Sequence, residues 1–238
     1  IEAIGDDVVG HQVGDRGVVY LCWSCGVCRE CASGNENVCE AAGRTAMPPC
    51  RGLGPDGGMA DFVRVPARSF VPIGDLDFCL AAPMADCALS SYHAIRGAQE
   101  QLRPGSTAVV IGVGGLGHVA IQLLRATTAA RVIAVDIGPE QLALAERCGA
   151  EIMLESGPDT AAEILRLTGE RGADAVFDFV GVDATATLAV QSVAPNGAYR
   201  MVGLGGGAPE LTAGPAGGPG WPWGASVRKS YGGTKSDL

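Results

Sequence analysis

Cys25, Cys28, Cys31 and Cys39 follow one another as CxxCxxCx7C in the stretch CGVCRECASGNENVC. Two-residue gaps let successive thiolates turn inward onto one ion, and the seven-residue return, bent at Gly34 and Asn35, brings the fourth back. Zinc accepts four thiolates tetrahedrally at about 2.3 Å and keeps no position open, so a site of this kind builds structure and does no chemistry. A thiolate quartet also suits iron, which leaves an iron–sulfur cluster as the rival reading and unconnected buried cysteines as the plain one. The other five cysteines, Cys22, Cys50, Cys79, Cys87 and Cys148, lack ligand spacing and read as small buried hydrophobes.

The second constellation is Gly112, Gly114 and Gly117, which spell GxGxxG in VVIGVGGLGHVAIQLL. The first glycine permits a tight turn, the second lets the backbone approach a pyrophosphate, and the third allows close packing of helix on strand. Gly115 and Leu116 complete the turn, and the phosphate charge meets the exposed N–H groups of the helix that follows. Alone the motif is weak; a strand before it, a helix after it and Asp136 at the end of the next strand make the dinucleotide-binding fingerprint. Asp136 is placed to accept hydrogen bonds from the adenosine ribose hydroxyls, and its charge repels a 2'-phosphate. Ile137 and Gly138 bring no cation to offset that charge, so NAD is favoured over NADP. The plain reading of Asp136 is a solvated turn residue.

These residues need a scaffold, and from Gly105 onward the pattern supplies one. Ala108–Gly112 reads as a buried strand, after which Leu116, Val119, Ala120, Leu123 and Leu124 fall on one helical face. Arg131–Asp136 is the next strand, with Pro139 suited to a first helical turn and Gly149 to a C-terminal cap. The alternation continues as strand 151–154, helix 159–167, strand 174–180, helix 184–193 and strand 197–203, which predicts a doubly wound parallel sheet. A Gly/Pro-rich loop from Gly203 to Gly224 precedes a last short strand, Ala225–Tyr231. The first 75 residues, rich in glycine and proline, read as strands and loops of a separate domain.

A length of 238 residues with 47% hydrophobic content is enough for a buried core. The excess of 26 acidic over 17 basic residues, a formal charge of −9, has the wrong sign for binding a phosphate backbone, so nucleic acid is excluded as a partner. The apolar stretch Thr107–Leu124 is broken by four glycines and carries His118 and Gln122, so it reads as strand, turn and helix and not as a membrane span. No basic region followed by an apolar one opens the chain, so a cytoplasmic protein with metal-bound or free thiols is expected.

A four-cysteine lobe upstream of a GxGxxG domain resembles the zinc-containing alcohol dehydrogenases of the medium-chain dehydrogenase family, with most similarity to bacterial NAD-dependent secondary-alcohol members. The likeness runs from VGDRGVVYLCWSCGVCRECASGNENVC through APMADCALSSYHAI and VVIGVGGLGHVAIQLLRA to GASVRKSYGGTKSDL. It implies an α/β fold: part of a GroES-like, mainly-β catalytic domain with a structural zinc lobe over residues 1–75, then a doubly wound Rossmann domain over 76–238. It also implies oxidation of an alcohol to an aldehyde or ketone, a small-molecule substrate, NAD, a second, catalytic zinc and a homo-oligomer. By the resemblance, Asp86 is a ligand of the catalytic zinc, Ser90 touches the nicotinamide, and Val180, Gly181 and Leu204 lie along the cofactor's path. Read without it, Asp86 is a helix cap and His93 and His118 are packing or helix-terminal histidines. The Gly-His-Glu stretch and upstream cysteine that supply the family's other catalytic ligands have no counterpart here, and the sequence stops before the segment that in the family completes the catalytic domain, so the resemblance implies a chain shortened at both ends, and the catalytic residues stay unassigned. Polyol, threonine or formaldehyde oxidation, and a non-enzymatic NAD- and zinc-binding role, stand as alternatives.

Overall fold

Gly17–Val19 forms β1, which pairs antiparallel with β2 (Phe70–Pro72), Val18 opposite Val71. Between them lie the four-residue helix α1 (Arg29–Ala32), 3-10 turns at Glu36–Val38 and Glu40–Ala42, and single-residue antiparallel pairings of Cys22 with Cys50 and of Cys50 with Leu53. So little regular structure buries little: the core here is Tyr20, Cys22 and Leu89, backed by Leu21, Val71, Tyr231 and Leu238. Chain-end residues are tied in by hydrogen bonds. The Tyr20 hydroxyl donates to the Gly233 carbonyl at 2.6 Å, and Asn37 Nδ2 donates to the Tyr231 carbonyl at 2.9 Å. Two helices follow β2: α2 (Phe78–Ala81), capped by Asp77, whose carboxylate accepts from the Cys79 amide at 2.8 Å, and α3 (Cys87–Arg96).

The computed structural model describes residues 1–211 and 220–238, and by contact these divide into two units, Ile1–Leu89 with Tyr231–Leu238, and Ser90–Ser230, the division falling within α3. In the second unit the expected alternation is present: β3 (Thr107–Ile111), α4 (Gly117–Thr127), β4 (Arg131–Asp136), α5 (Pro139–Arg147), β5 (Ile152–Glu155), α6 (Thr160–Leu167), β6 (Ala173–Asp178), α7 (Asp183–Ser192), β7 (Val193–Met201) and β8 (Ser226–Lys229). All six strands pair in parallel in the order β5-β4-β3-β6-β7-β8. Every residue of β3 is buried, which is why TAVVI runs apolar without alternation: a strand covered on both faces offers neither to water.

Two clusters form the core, one on each side of the sheet. Ala108, Val110, Val132, Ala134 and Phe177 pack under α3, α4 and α5 through Ile95, Ile121, Leu124 and Ala145. Val109, Ile111, Ile133, Val135 and Val176 pack under α6 and α7 through Ile164, Ala186 and Ala189. At about 1.5–3 kcal/mol for each fully buried large aliphatic side chain, these two layers are what hold the sheet.

Several expectations need correction. Of the expected face of α4, Ala120 and Leu124 are fully buried and Leu116 and Leu123 pack against the same cluster; the face is completed by Ile121 and by Gly117, which sits directly against the backbone of the preceding turn, while Val119 is only half-buried. β7 starts at Val193, four residues earlier than expected, by pairing with Ala173 across a register shift. β8 ends at Lys229, and Tyr231 turns away to donate to the Pro48 carbonyl at 2.9 Å. Cys79 is exposed and Cys87 and Cys148 are half-buried, so only Cys22 and Cys50 of the five unassigned cysteines are the buried side chains expected. Part of the Gly/Pro-rich loop, 212–219, lies outside the described residues; the described residues on either side carry no helix or strand before β8.

Candidate functional site

The four thiols converge. Cys28 caps α1 and its sulfur accepts from the Cys31 amide, which places two thiols on one turn; Cys25 precedes the turn and Cys39 returns after the two 3-10 segments. All four Sγ atoms lie within 4.8 Å of one another, with Cys25 to Cys31 at 3.9 Å and Cys28 to Cys39 at 4.0 Å. A tetrahedron of sulfurs about 2.3 Å from a central ion has edges of about 3.8 Å, so the quartet fits zinc with little adjustment. Backbone amides prepare the charge: Cys25 Sγ accepts from Val27 at 3.4 Å and Cys28 at 3.3 Å, and Cys39 Sγ from Cys25 at 3.3 Å. Those amides lower the Cys25 thiol to about 6, whereas burial pushes Cys31 up to about 12, a cost that a divalent cation offsets by displacing the proton.

The glycine turn occupies the carboxyl end of β3. The chain leaves β3 outward to β4 and β5, then crosses to β6 on the other side, so the strand order reverses between β3 and β6, where open α/β sheets bind their ligands. Gly112 adopts φ +86°, and a Cβ there would meet Val180 Cγ2 at 2.5 Å. A Cβ on Gly117 would overlap the Gly112 carbonyl oxygen, so the helix starts flush against the turn. Nothing lies within 4 Å of a Cβ built on Gly114 or Gly115, and a groove of about 390 Å³ opens beside them, lined also by Val113, His118, Gln141 and Arg147. His118 is a helix-terminal histidine whose Nδ1 donates to the Gly114 carbonyl at 2.7 Å. The backbone there is open enough for a diphosphate to approach the start of α4.

Asp136 ends β4 and is more than an outward acid. Its Oδ2 accepts from the Val113 amide at 2.7 Å and its Oδ1 from the Gly138 amide at 3.0 Å. Each carboxylate oxygen keeps a further acceptor direction for a ribose hydroxyl, while the bond to Val113 fixes the acid against the glycine turn. Ile137, beside it, is 78% exposed.

The facing loop is held by a residue that the motif reading missed. Asp178 ends β6 and is fully buried; its Oδ1 accepts from the amides of Val180 at 2.9 Å and Gly181 at 2.8 Å, and its Oδ2 from the Tyr199 hydroxyl at 3.1 Å. The Asp178 carbonyl accepts from Val202 and Gly203, so one residue sets both loops that carry Val180, Gly181 and Leu204. The signal was available, since Asp178 closes its strand as Asp136 does. Leu204 is 62% exposed and Val180 38%. Ser90 and His93 are buried on α3; Ser91, beside Ser90, donates to the Leu116 carbonyl at 3.1 Å.

Asp86 directly precedes α3. Among the described residues the four thiols are the one group of three or more ligand atoms close enough to share an ion, and Asp86 is not in it. One carboxylate by itself does not make a Lewis-acid centre. No described helix is long and apolar enough to cross a membrane.

Residues 115–238 match the family model described as zinc-binding dehydrogenase, and residues 1–75 match the alcohol dehydrogenase GroES-like domain. An NAD-dependent alcohol dehydrogenase of Sulfurisphaera tokodaii is 37% identical over 207 residues, covering 86% of this chain and 57% of that protein. An alcohol dehydrogenase of Geobacillus stearothermophilus is 36% identical over 208 residues, covering 87% and 56%. The crystal structure of an alcohol dehydrogenase from the archaeon Aeropyrum pernix matches with a TM-score of 0.85 at 31% identity, covering 99% of this chain and 67% of that one. The chain therefore spans just over half the length of the curated relatives it matches.

Proposed function

Because the chain belongs to the zinc-containing medium-chain alcohol dehydrogenase family, we propose that it serves the NAD-dependent oxidation of a primary or secondary alcohol to an aldehyde or ketone. The observation that carries this reading is the turn at Gly112–Gly117, pressed against β3 and open toward solvent at Gly114 and Gly115, with Asp136 hydrogen-bonded to it. In this reading the amides of Gly114, Gly115 and Leu116 and the start of α4 hold the pyrophosphate, and Asp136 grips the ribose. Val180, Gly181 and Leu204 line the path toward the nicotinamide, which Ser90 touches. Bound NAD supplies the hydride acceptor; this chain's residues orient it and shield one side from water. Cys25, Cys28, Cys31 and Cys39 hold a structural zinc, and Asp86 is one ligand of a second zinc only where other ligands join it. The small-molecule substrate class, a cytoplasmic setting in which the thiols stay reduced, and self-association belong to the same proposal.

A second reading, an NAD- and zinc-binding chain without turnover of its own, is favoured by the single ligand group among the described residues. Measured zinc per chain separates the two: one tightly held ion with no NAD-dependent alcohol oxidation supports the second, whereas two ions and activity support the first. Titration calorimetry with NAD tests what both share. Wild-type protein is expected to bind and Gly117→Ala to lose affinity beyond detection; a Gly117→Ala protein that binds as well as wild type would sink the nucleotide site.

A further inference from the structure

Five cysteines have no part in the zinc quartet, and the fold brings two of them face to face. Cys22 and Cys50 are 1% and 4% exposed and oppose each other across a single antiparallel pairing. The flanking bonds, Trp23 amide to Pro49 carbonyl at 2.8 Å and Arg51 amide to Leu21 carbonyl at 3.3 Å, lie outside the Cys22–Cys50 pair, which makes it a non-hydrogen-bonded pair. In such a pair the α-carbons are about 4.5 Å apart and the side chains stand on the same face at their closest. A disulfide needs α-carbons about 4.4 to 6.8 Å apart, a range that includes the usual spacing of a pair in this register. The opposite face of the same two segments is clamped as well: the Arg51 guanidinium stacks 3.8 Å from the centre of the Trp23 ring, which resists slippage of the register.

We propose that Cys22 and Cys50 form a redox site, closing to a disulfide that clasps the neck of the zinc lobe. The loop it would close runs from Cys22 to Cys50 and contains all four zinc-binding thiols. Burial holds the Cys22 thiol high, at about 11, so little thiolate is present at that sulfur while the pairing is closed. Closure follows a local opening of these single-residue pairings, which one bridge on either side of Cys50 makes easy. The oxidant is a low-molecular-weight disulfide. One thiolate attacks it and releases one small thiol, leaving a mixed disulfide; the second protein sulfur then attacks the first, expelling the other small thiol. Two protein S–H bonds are lost, one S–S bond forms, and the small disulfide is reduced to two thiols that take up the two protons. Zinc bound by Cys25, Cys28, Cys31 and Cys39 would keep those four sulfurs out of the exchange, and Cys79, Cys87 and Cys148 lie outside the loop that the bond closes.

The test treats zinc-saturated full-length chain with oxidised glutathione, blocks remaining thiols by alkylation, and digests with trypsin and then chymotrypsin. Trypsin frees the segment 45–51, whose one cysteine is Cys50, and cleavage after Trp23 separates Cys22 from Cys25. The expected product joins segment 45–51 to a fragment ending at Trp23, has lost two hydrogens, and is abolished by dithiothreitol. In Cys22→Ser, Cys50 is expected back alkylated or capped by glutathione. The oxidised wild type is also expected to lose zinc to EDTA about tenfold more slowly than Cys50→Ser treated in parallel. Recovery of wild-type segment 45–51 only as alkylated or glutathione-capped peptide, or joined to a zinc-lobe cysteine, overturns the pairing; this mapping needs no variant, so a serine variant that fails to fold does not protect the proposal. Unchanged zinc loss in a protein shown to carry the bond overturns the clasp.

Discussion

At Asp136 two demands meet in one carboxylate, since it holds the Val113 and Gly138 amides and is proposed to grip a ribose. Asp136→Asn keeps the size but weakens every charge-assisted bond, each worth roughly twice a neutral one. The Kd for NAD is expected to rise about tenfold, equivalent to about 1.4 kcal/mol, and that for NADP to rise less or fall. Calorimetry with the two cofactors checks this, and an equal loss for both would assign Asp136 to the turn alone. A pH effect belongs to Cys22, whose thiol burial raises from 9.0 to about 11. The folded state keeps that proton to higher pH than the unfolded chain, so its contribution to stability is complete below pH 9 and is lost as pH rises toward 11. Urea midpoints measured under reductant across that range should fall more steeply for wild type than for Cys22→Ala; parallel slopes would remove Cys22 from the account.

Among the elements, β6 and the loop after it depend most on one residue. A buried carboxylate without a cation is costly unless its lone pairs are filled, and Asp178 fills them with two amides and the Tyr199 phenol. That burial and the neighbouring carboxylate keep the Tyr199 phenol protonated far into alkaline pH, as a donor must be. Asp178→Ala leaves those donors unsatisfied and is expected to destabilise the protein by about 3 kcal/mol, against about 1 kcal/mol for Tyr199→Phe, which removes one partner only. Urea unfolding gives both values; near-equal losses would mean that the two amides find other acceptors. At the far end of α3, Arg200 does similar work. The residue is 6% exposed, and its guanidinium donates to the Gly97 carbonyl at 2.6 and 3.2 Å and to the Tyr199 and Ser226 carbonyls, which ties the helix's C-terminal turn to β7 and β8. Burial lowers its pKa, but carbonyl acceptors on several sides keep the cation in place.

Over the whole molecule the two units are held by different physics. Ser90–Ser230 has a core on each face of a six-stranded sheet, whereas Ile1–Leu89 with Tyr231–Leu238 has three fully buried apolar side chains in its cluster and a thiol quartet. Metal binding contributes roughly 10–16 kcal/mol in small zinc peptides, more than so small a core supplies. Removal of zinc by chelation, or Cys39→Ser, is therefore expected to make Arg29, Arg44 and Arg51 rapidly cleavable by trypsin while the 90–230 unit stays resistant and keeps its circular dichroism. Equal protection of both units after metal loss would show that the first unit stands on its own core.

The chain's local chemistry was legible before any fold was known. The spacing of Cys25, Cys28, Cys31 and Cys39, the GxGxxG turn, Asp136 and the alternation of strands and helices from Thr107 to Met201 are all written within a few residues of themselves, where spacing and periodicity act directly. What needed the tertiary structure was every pairing between distant segments: Cys22 with Cys50, Asp178 with Tyr199, Arg200 with Gly97, and Tyr20 with Gly233. The contact of Gly117 with the Gly112 carbonyl belongs with these, because it brings a glycine into the buried face of α4 that the apolar residues along the helix do not mark. Spacing along a chain fixes which groups can share one ion or one turn; which groups oppose each other across a sheet depends on strand order and register, and those are decided only when the whole core packs.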